Sequence, residues 1–148
     1  MKEHLSFRDA TIGDENALSI IDKQCFDGHE KYDEKSFEEE LSEKSKHYYV
    51  ALYDNLVIGY VGVQILGEEL NLLKIAVLPQ YRKLGVGFKL MSHTFDYRKQ
   101  NQLTNYFLEV KDNNESAKKL YQKFGFKTKS TRKSYYDDGT DALVMFTK

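Results

Sequence analysis

The apolar residues of this chain change period along its length, and each change marks an element. Residues 5–8 alternate and read as a short first strand. Thr11 to Asp14 favour a helix start. Leu18, Ile21 and Cys25 follow at i, i+3 and i+7, one face of a helix. Residues 27–32 read as a loop, and Asp33 is placed to cap a short second helix with Phe37 and Leu41 inward. The pattern then turns to strands. Residues 48–53 form one, Asp54-Asn55 a tight turn, and residues 56–66 a long second strand. Gly59 and Gly62 inside it predict a bulge or a close backbone approach. Residues 67–69 turn the chain again and residues 70–77 complete an antiparallel meander of three strands.

Past residue 78 the two periods alternate. Residues 79–85 form a polar, basic loop. Phe88, Met91 and Phe95 repeat at i, i+3 and i+7, so a helix runs to about residue 99. Residues 106–110 are a strand. Ala117, Leu120, Tyr121 and Phe124 line one face of a helix over 114–124, and Gly125 sits where a left-handed helix stop wants glycine. Residues 127–135 and 142–147 are two last strands. The order predicts an α/β (mixed α+β) fold: a mostly antiparallel seven-stranded sheet with a central parallel pair, flanked by four helices. The strand–helix–strand unit in the middle supplies the parallel pair by a right-handed crossover.

Composition narrows the function classes. A chain of 148 residues fits one domain, 1–148. With 41% hydrophobic and 14% aromatic residues it can build an ordinary core. The net charge of -1 argues against a nucleic-acid binder. One cysteine excludes a disulfide framework, and the four histidines are scattered without ligand spacing, so no metal is expected. No signal peptide and no membrane-length apolar run is visible, which predicts a cytoplasmic protein, monomeric or weakly dimeric. Residues 27–43 carry eight carboxylates against two lysines, either a solvated face or a lobe that attracts a basic peptide.

The sharpest chemical feature is Arg82-Lys83-Leu84-Gly85-Val86-Gly87, after a strand and at the start of a helix. Glycines let the backbone turn and let a ligand approach its N–H groups. The first-turn N–H groups and the helix dipole favour an anion, and two cations flank them. Such a unit is a pyrophosphate cradle. A solvated basic loop that needs glycine only to turn is the alternative. The G-x-x-x-x-G-K-[ST] and G-x-G-x-x-G patterns are both absent.

Arg82-x-x-Gly85-x-Gly87 resembles the [QR]-x-x-G-x-[GA] signature of the GNAT acetyltransferases. The resemblance extends through Ile75-Ala76-Val77-x-Pro79-x-Tyr81, Leu108-Glu109-Val110-x-x-x-Asn114, Ala117, Leu120-Tyr121 and Gly125-Phe126. The tail, Arg132-Lys133-x-Tyr135-Tyr136 with Asp138-Gly139-x-Asp141-Ala142-x-x-Met145, is similar to the RimI-type enzymes, which acetylate the N-terminal alanine of a ribosomal protein. The likeness is strong over residues 70–147 and rests on element order alone before them.

The resemblance implies an acetyl-coenzyme A-dependent N-acetyltransferase acting on the N-terminus of a protein or peptide, a ribosomal protein among the candidates. Residues 82–87 (Arg82, Lys83, Leu84, Gly85, Val86, Gly87) would hold the pyrophosphate. Ile75, Ala76 and Val77 would bond the pantetheine arm through their backbone, with Asn114. Glu109 would be the general base, its pKa raised by burial between helices on both sides of its strand. Tyr121 would be the general acid for the leaving thiolate. Tyr135 and Tyr136 would wall the acceptor groove. Each has a plainer alternative: an acid at an open strand end, a core tyrosine, a helix cap, ordinary strand aromatics. Two features depart from the RimI pattern. Ser134 stands where relatives carry asparagine, and residues 25–30 lack the usual Phe-Pro-Trp. Small amines, a lysine side chain, or a catalytically silent coenzyme A-binding role remain open alternatives.

Overall fold

The structure is a computed structural model and describes residues 4–148. Its elements run β1 (Leu5–Asp9), α1 (Glu15–Cys25), α2 (Glu34–Ser42), β2 (Lys46–Tyr53), β3 (Leu56–Leu66), β4 (Glu69–Val77), α3 (Val86–Gln100), β5 (Tyr106–Lys111), α4 (Glu115–Lys123), β6 (Lys127–Arg132) and β7 (Ala142–Thr147). Single 3₁₀ turns occupy Gly28–Glu30 and Pro79–Tyr81. All seven strands lie in one sheet, in the order β1-β2-β3-β4-β5-β7-β6. Among the described residues only β4 and β5 pair in parallel. The expected mixed sheet, parallel pair and four helices are all present.

Local chemistry explains most boundaries. Asp33 caps α2 by accepting the Ser36 N–H at 2.8 Å. Asp54 and Asn55 both take positive φ, 48° and 70°, as a mirror-image hairpin turn requires. The final hairpin differs from expectation. β6 stops at Arg132, so Tyr135 and Tyr136 lie in the β6–β7 loop and not in a strand. Ser134 has φ 49° and donates its N–H to Asp141 Oδ1 at 2.8 Å, which turns the chain there. Asparagine tolerates that backbone better than serine does, so Ser134 departs from the RimI pattern first as a backbone matter.

The core has two parts. Leu18, Ile21 and Phe37 of α1 and α2 pack with Val50, Ile58 and Tyr60 of β2 and β3 and with Val86 and Leu90 of α3. Met91, Tyr106, Leu108, Tyr121, Phe126 and Met145 form the second part under α3 and α4. Along β5, Tyr106, Leu108 and Val110 point into this second part, and Glu109 lies on the opposite face. Residues of α1 and α2 join the first part and not the second. The outer face of β5 is therefore not roofed by a helix, contrary to the expectation of cover on both sides.

Two features of β4 shape the cleft beside it. Its parallel pairing with β5 covers only Leu70–Tyr106 and Asn71–Phe107, after which the strands part. At that point Gly62 faces Lys74 while Val63 faces Leu72, so Leu73 is an extra, bulged residue on β4.

The histidines are not all scattered. β2 begins at Lys46, two residues earlier than expected, and this brings His47 against His93 of α3, Nε2 to Nε2 2.9 Å.

Candidate active site

Where β4 leaves β5, one edge of β4 has no neighbouring strand. Leu78 N–H donates to Ile58 O at 2.8 Å, which makes that a hydrogen-bonded pair of the β3–β4 ladder. Antiparallel alternation makes Ala76–Tyr60 another, and turns the peptide groups of Ile75 and Val77 away from β3 into the gap. Val77 O accordingly accepts from Arg82 Nε at 2.9 Å and lies 3.5 Å from Cys25 Sγ. An extended ligand entering here would be bonded by Ile75 and Val77, as an added strand is. The peptide groups of Ala76 are engaged with β3, so Ala76 contributes packing alone.

The gap leads to the N-terminus of α3. Leu84 packs on the core and Val86 is buried, so these two side chains pin the loop while its backbone stays outward. Gly85 is the residue before the helix, with φ 77°, and no side chain caps the first turn. The N–H groups of residues 86–88 therefore have no intrahelical partner. A Cβ at Gly87 would meet Leu120 only at an ordinary 3.6 Å, so packing within the chain does not demand glycine there. Arg82 and Lys83 are exposed beside this turn, and the first turn carries no acid. The donor set fits a diphosphate, and the strand edge fits the amide-bearing arm of coenzyme A.

A cleft of 510 Å³ opens along the gap, within the size range of small-molecule sites. Ile75, Glu109, Asn114, Tyr121, Tyr135 and Tyr136 all line it. Arg82–Gly87 and Ala76 and Val77 do not line this cleft. Asn114 caps α4 by accepting the Ala117 N–H at 3.2 Å and still faces the cleft. Tyr121 is 4% exposed. Its place is fixed by the end of α4: Gly125, with φ 89°, lets Phe126 N–H reach back to Tyr121 O, and Phe126 packs edge-on against the Tyr121 ring. Among the described residues no group hydrogen-bonds the Tyr121 hydroxyl. Burial pushes its pKa well above the usual 10, with the nearby Tyr136 reinforcing the effect, so the phenol stays protonated. Burial, then the charge of Glu109, pushes Tyr136 up to about 12.

Glu109 departs from expectation. Its side chain is 35% exposed and its Oε2 lies 3.0 Å from Arg132 Nε. The cover expected on both faces of its strand is missing, because the outer face of β5 carries no helix. A second groove of 290 Å³ on that open face shares Glu109 and runs past Asn71, Phe107 and Arg132.

Sequence reasoning missed the entrance. Lys111 of β5 bridges Glu30 Oε2 at 3.0 Å and Asp138 Oδ2 at 3.5 Å, joining the α1–α2 loop to the β6–β7 loop. Lys74 of β4 also lines the cleft. Its ammonium lies 2.6 Å from Asp22 Oδ2, donates to Glu30 O, and sits 3.7 Å from the Tyr32 ring centroid. Asp22 is fully buried and also accepts from Tyr60 Oη at 2.5 Å and Tyr32 N–H at 2.9 Å. Burial lowers the Lys74 pKa and the Asp22 pair opposes this. A lysine within the apolar run of residues 70–77 was the one available signal.

Comparison with known proteins places the chain in a family. The profile of the Acetyltransferase (GNAT) family matches residues 15–126. An N-alpha-acetyltransferase of Sulfolobus acidocaldarius is 32% identical, covering 97% of this chain and 92% of its own. The ribosomal protein bS18-alanine N-acetyltransferase of Escherichia coli is 28% identical over 77% of this chain and 78% of its own. The crystal structure of the ribosomal-protein-S18-alanine N-acetyltransferase from Escherichia coli superposes with a TM-score of 0.87 at 25% identity, covering 96% of this chain and 92% of that one. No helix among the described residues is long and apolar enough to cross a membrane. The matched region spans the parted strands, the glycine loop and most of the cleft: the chain belongs to the GNAT family of acetyltransferases, which implies acetyl-coenzyme A as the acetyl donor.

Proposed function

We propose that this enzyme acetylates the N-terminal α-amine of a protein or peptide, as the names of its relatives say of them. The observation that carries this reading is the state of Glu109: solvent-touching, paired with Arg132, and at the junction of the cleft and the open groove. Such a carboxylate can pass a proton on to bulk water. An α-amine, with a pKa of ~7.7–8.0, is already largely neutral near pH 8, whereas a lysine amine at ~10.4 is not. A solvent-touching carboxylate acting through one water suits the first better than the second. The open groove along β5 gives an extended chain somewhere to lie beyond its first residue.

The roles follow from position. The α3 N-terminal turn, Arg82 and Lys83 hold the donor's diphosphate. Ile75 and Val77 bond its arm, Asn114 adds a polar contact, and a gap-facing N–H of β4 polarises the thioester carbonyl. Glu109, through water, takes the proton the amine loses as its nitrogen bonds to the carbonyl carbon. Tyr121 gives its proton to the sulfur as the carbon–sulfur bond breaks. Burial disfavours the thiolate as well as the phenolate, so donor and acceptor stay matched in the same cleft. Tyr135 and Tyr136, with the Lys111 bridge, shape the acceptor entrance.

The test is thiol release with acetyl-coenzyme A and a panel of amines. Free-amine peptides, those starting with alanine among them, are expected to turn over faster than an Nα-blocked lysine peptide or spermine. Preference for spermine or the blocked peptide overturns the α-amine reading. Binding of acetyl-coenzyme A without turnover of any amine overturns catalysis itself.

A further inference from the structure

Outside the cleft, three groups from three elements converge. His47 of β2 and His93 of α3 face each other with their Nε2 atoms 2.9 Å apart. Asp9, the last residue of β1, has its Oδ1 3.6 Å from His47 Nε2. One ligand atom from each lies within 4.8 Å of the other two. None of the three lines the catalytic cleft. Each imidazole is held flat against a phenol ring: His47 on Tyr97 at 4.2 Å and 5°, His93 on Tyr49 at 3.4 Å and 1°. The rings are half-buried, while Asp9 is 68% exposed.

We propose that Asp9, His47 and His93 bind a divalent transition-metal cation of the zinc type. Two imidazoles and one carboxylate are the ligand types such ions take, and the set is too poor in oxygen for magnesium or calcium. A tetrahedral ion with bonds of about 2.0–2.1 Å needs its two nitrogens about 3.3 Å apart. The pair must therefore open by roughly 0.4 Å and turn from facing each other toward a shared ion, a small move for two rings already in contact. Asp9 must swing closer to His93, and its exposure leaves it free to do so. Water would complete the shell on the solvent side.

The protonation states agree. Imidazole binds metal in its neutral form. Burial lowers both histidines below the ordinary 6.5, more than the charge of Asp9 raises them; in His93 the other imidazole also lowers and Asp96 also raises. At pH 7.5 both rings are thus neutral; one Nε2 donates to the other in the 2.9 Å contact, and metal binding shifts that ring to its Nδ1–H tautomer, while the carboxylate answers the added charge. The ion would tie the end of β1 and the start of β2 to the middle of α3.

The test is calorimetric titration of chelator-treated full-length protein with zinc chloride at pH 7.5, with magnesium chloride as control. One zinc per chain is expected, with a raised melting temperature and no effect of magnesium. His47→Gln/His93→Gln is expected to abolish this binding, and Asp9→Asn to weaken it at least about tenfold, the lower range that even an outer-shell partner commands. Asp9 is exposed, so its variant is informative even if the double variant unfolds. Two other histidine–carboxylate pairs exist, His4–Asp54 and His29–Asp137. Zinc binding that survives unchanged in the double or the Asp9 variant overturns the proposal, as does the absence of binding by the wild type.

Discussion

Tyr121→Phe separates chemistry from packing more cleanly than any other change at the site. The substitution removes one oxygen. Among the described residues that oxygen makes no hydrogen bond, so none is broken, and the remaining ring keeps its contact with Phe126. The stability change should be small, since no hydrogen bond is broken and the ring is kept. The catalytic change should be far larger. A positioned general acid contributes about 10²–10⁴-fold. The lower figure applies here, because burial makes this phenol a weaker acid than a free one. A 10²-fold loss is about 2.7 kcal/mol of barrier. The assay is thiol release under saturating acetyl-coenzyme A with an alanine-started peptide, beside a thermal melt. Expected are a kcat about 100-fold lower, a nearly unchanged KM for acetyl-coenzyme A, and an unchanged melting temperature. In the wild type, Tyr121 should produce no alkaline fall in kcat below its ordinary pKa of 10, since burial raises it. A kcat within threefold of wild type would return Tyr121 to the core and remove the proposed acid.

Four further outcomes are expected. Lys74→Met leaves the fully buried Asp22 carboxylate without its cation and should cost about 3–5 kcal/mol, read in urea unfolding, with Asp22→Asn added to it recovering much of the loss. Gly85→Ala meets nothing within 4 Å, so its cost is backbone strain of about 1–2 kcal/mol at φ 77°, seen as a lower melting temperature and weaker coenzyme A binding by calorimetry. Melting temperature should fall as pH drops through 6.5: His47 and His93 have depressed folded pKa values, so the unfolded chain takes up protons first, and His47→Gln/His93→Gln should flatten that slope. Peptide kcat/KM should decline with added salt for basic peptides, though modestly, since Glu30 and Glu40 of the acidic segment are spent on Lys111 and Lys46; a flat response would dismiss electrostatic steering.

The sequence carried the elements and the chemistry that depends on neighbours along the chain. Periodicity marked the strands and helices, because burial of one face imposes a period of 2 or 3.6 whatever the fold. Asp33, Gly85, Asn114 and Gly125 were legible because capping and positive φ act within a few residues. The donor loop belongs to this class, since a helix terminus makes an anion site by itself. What required tertiary structure were the relations between distant segments. Insertion of β7 between β5 and β6, the early parting of β4 from β5, and the bare outer face of β5 depend on which surfaces the helices cover. That uncovered face exposed Glu109 to solvent and Arg132, where a covered strand would have dried it. The same long-range packing brought Lys74 to Asp22, 52 residues away, and His47 to His93, 46 residues away. Spacing along the chain is silent about such meetings, because they are fixed by packing between elements and not by the period within one.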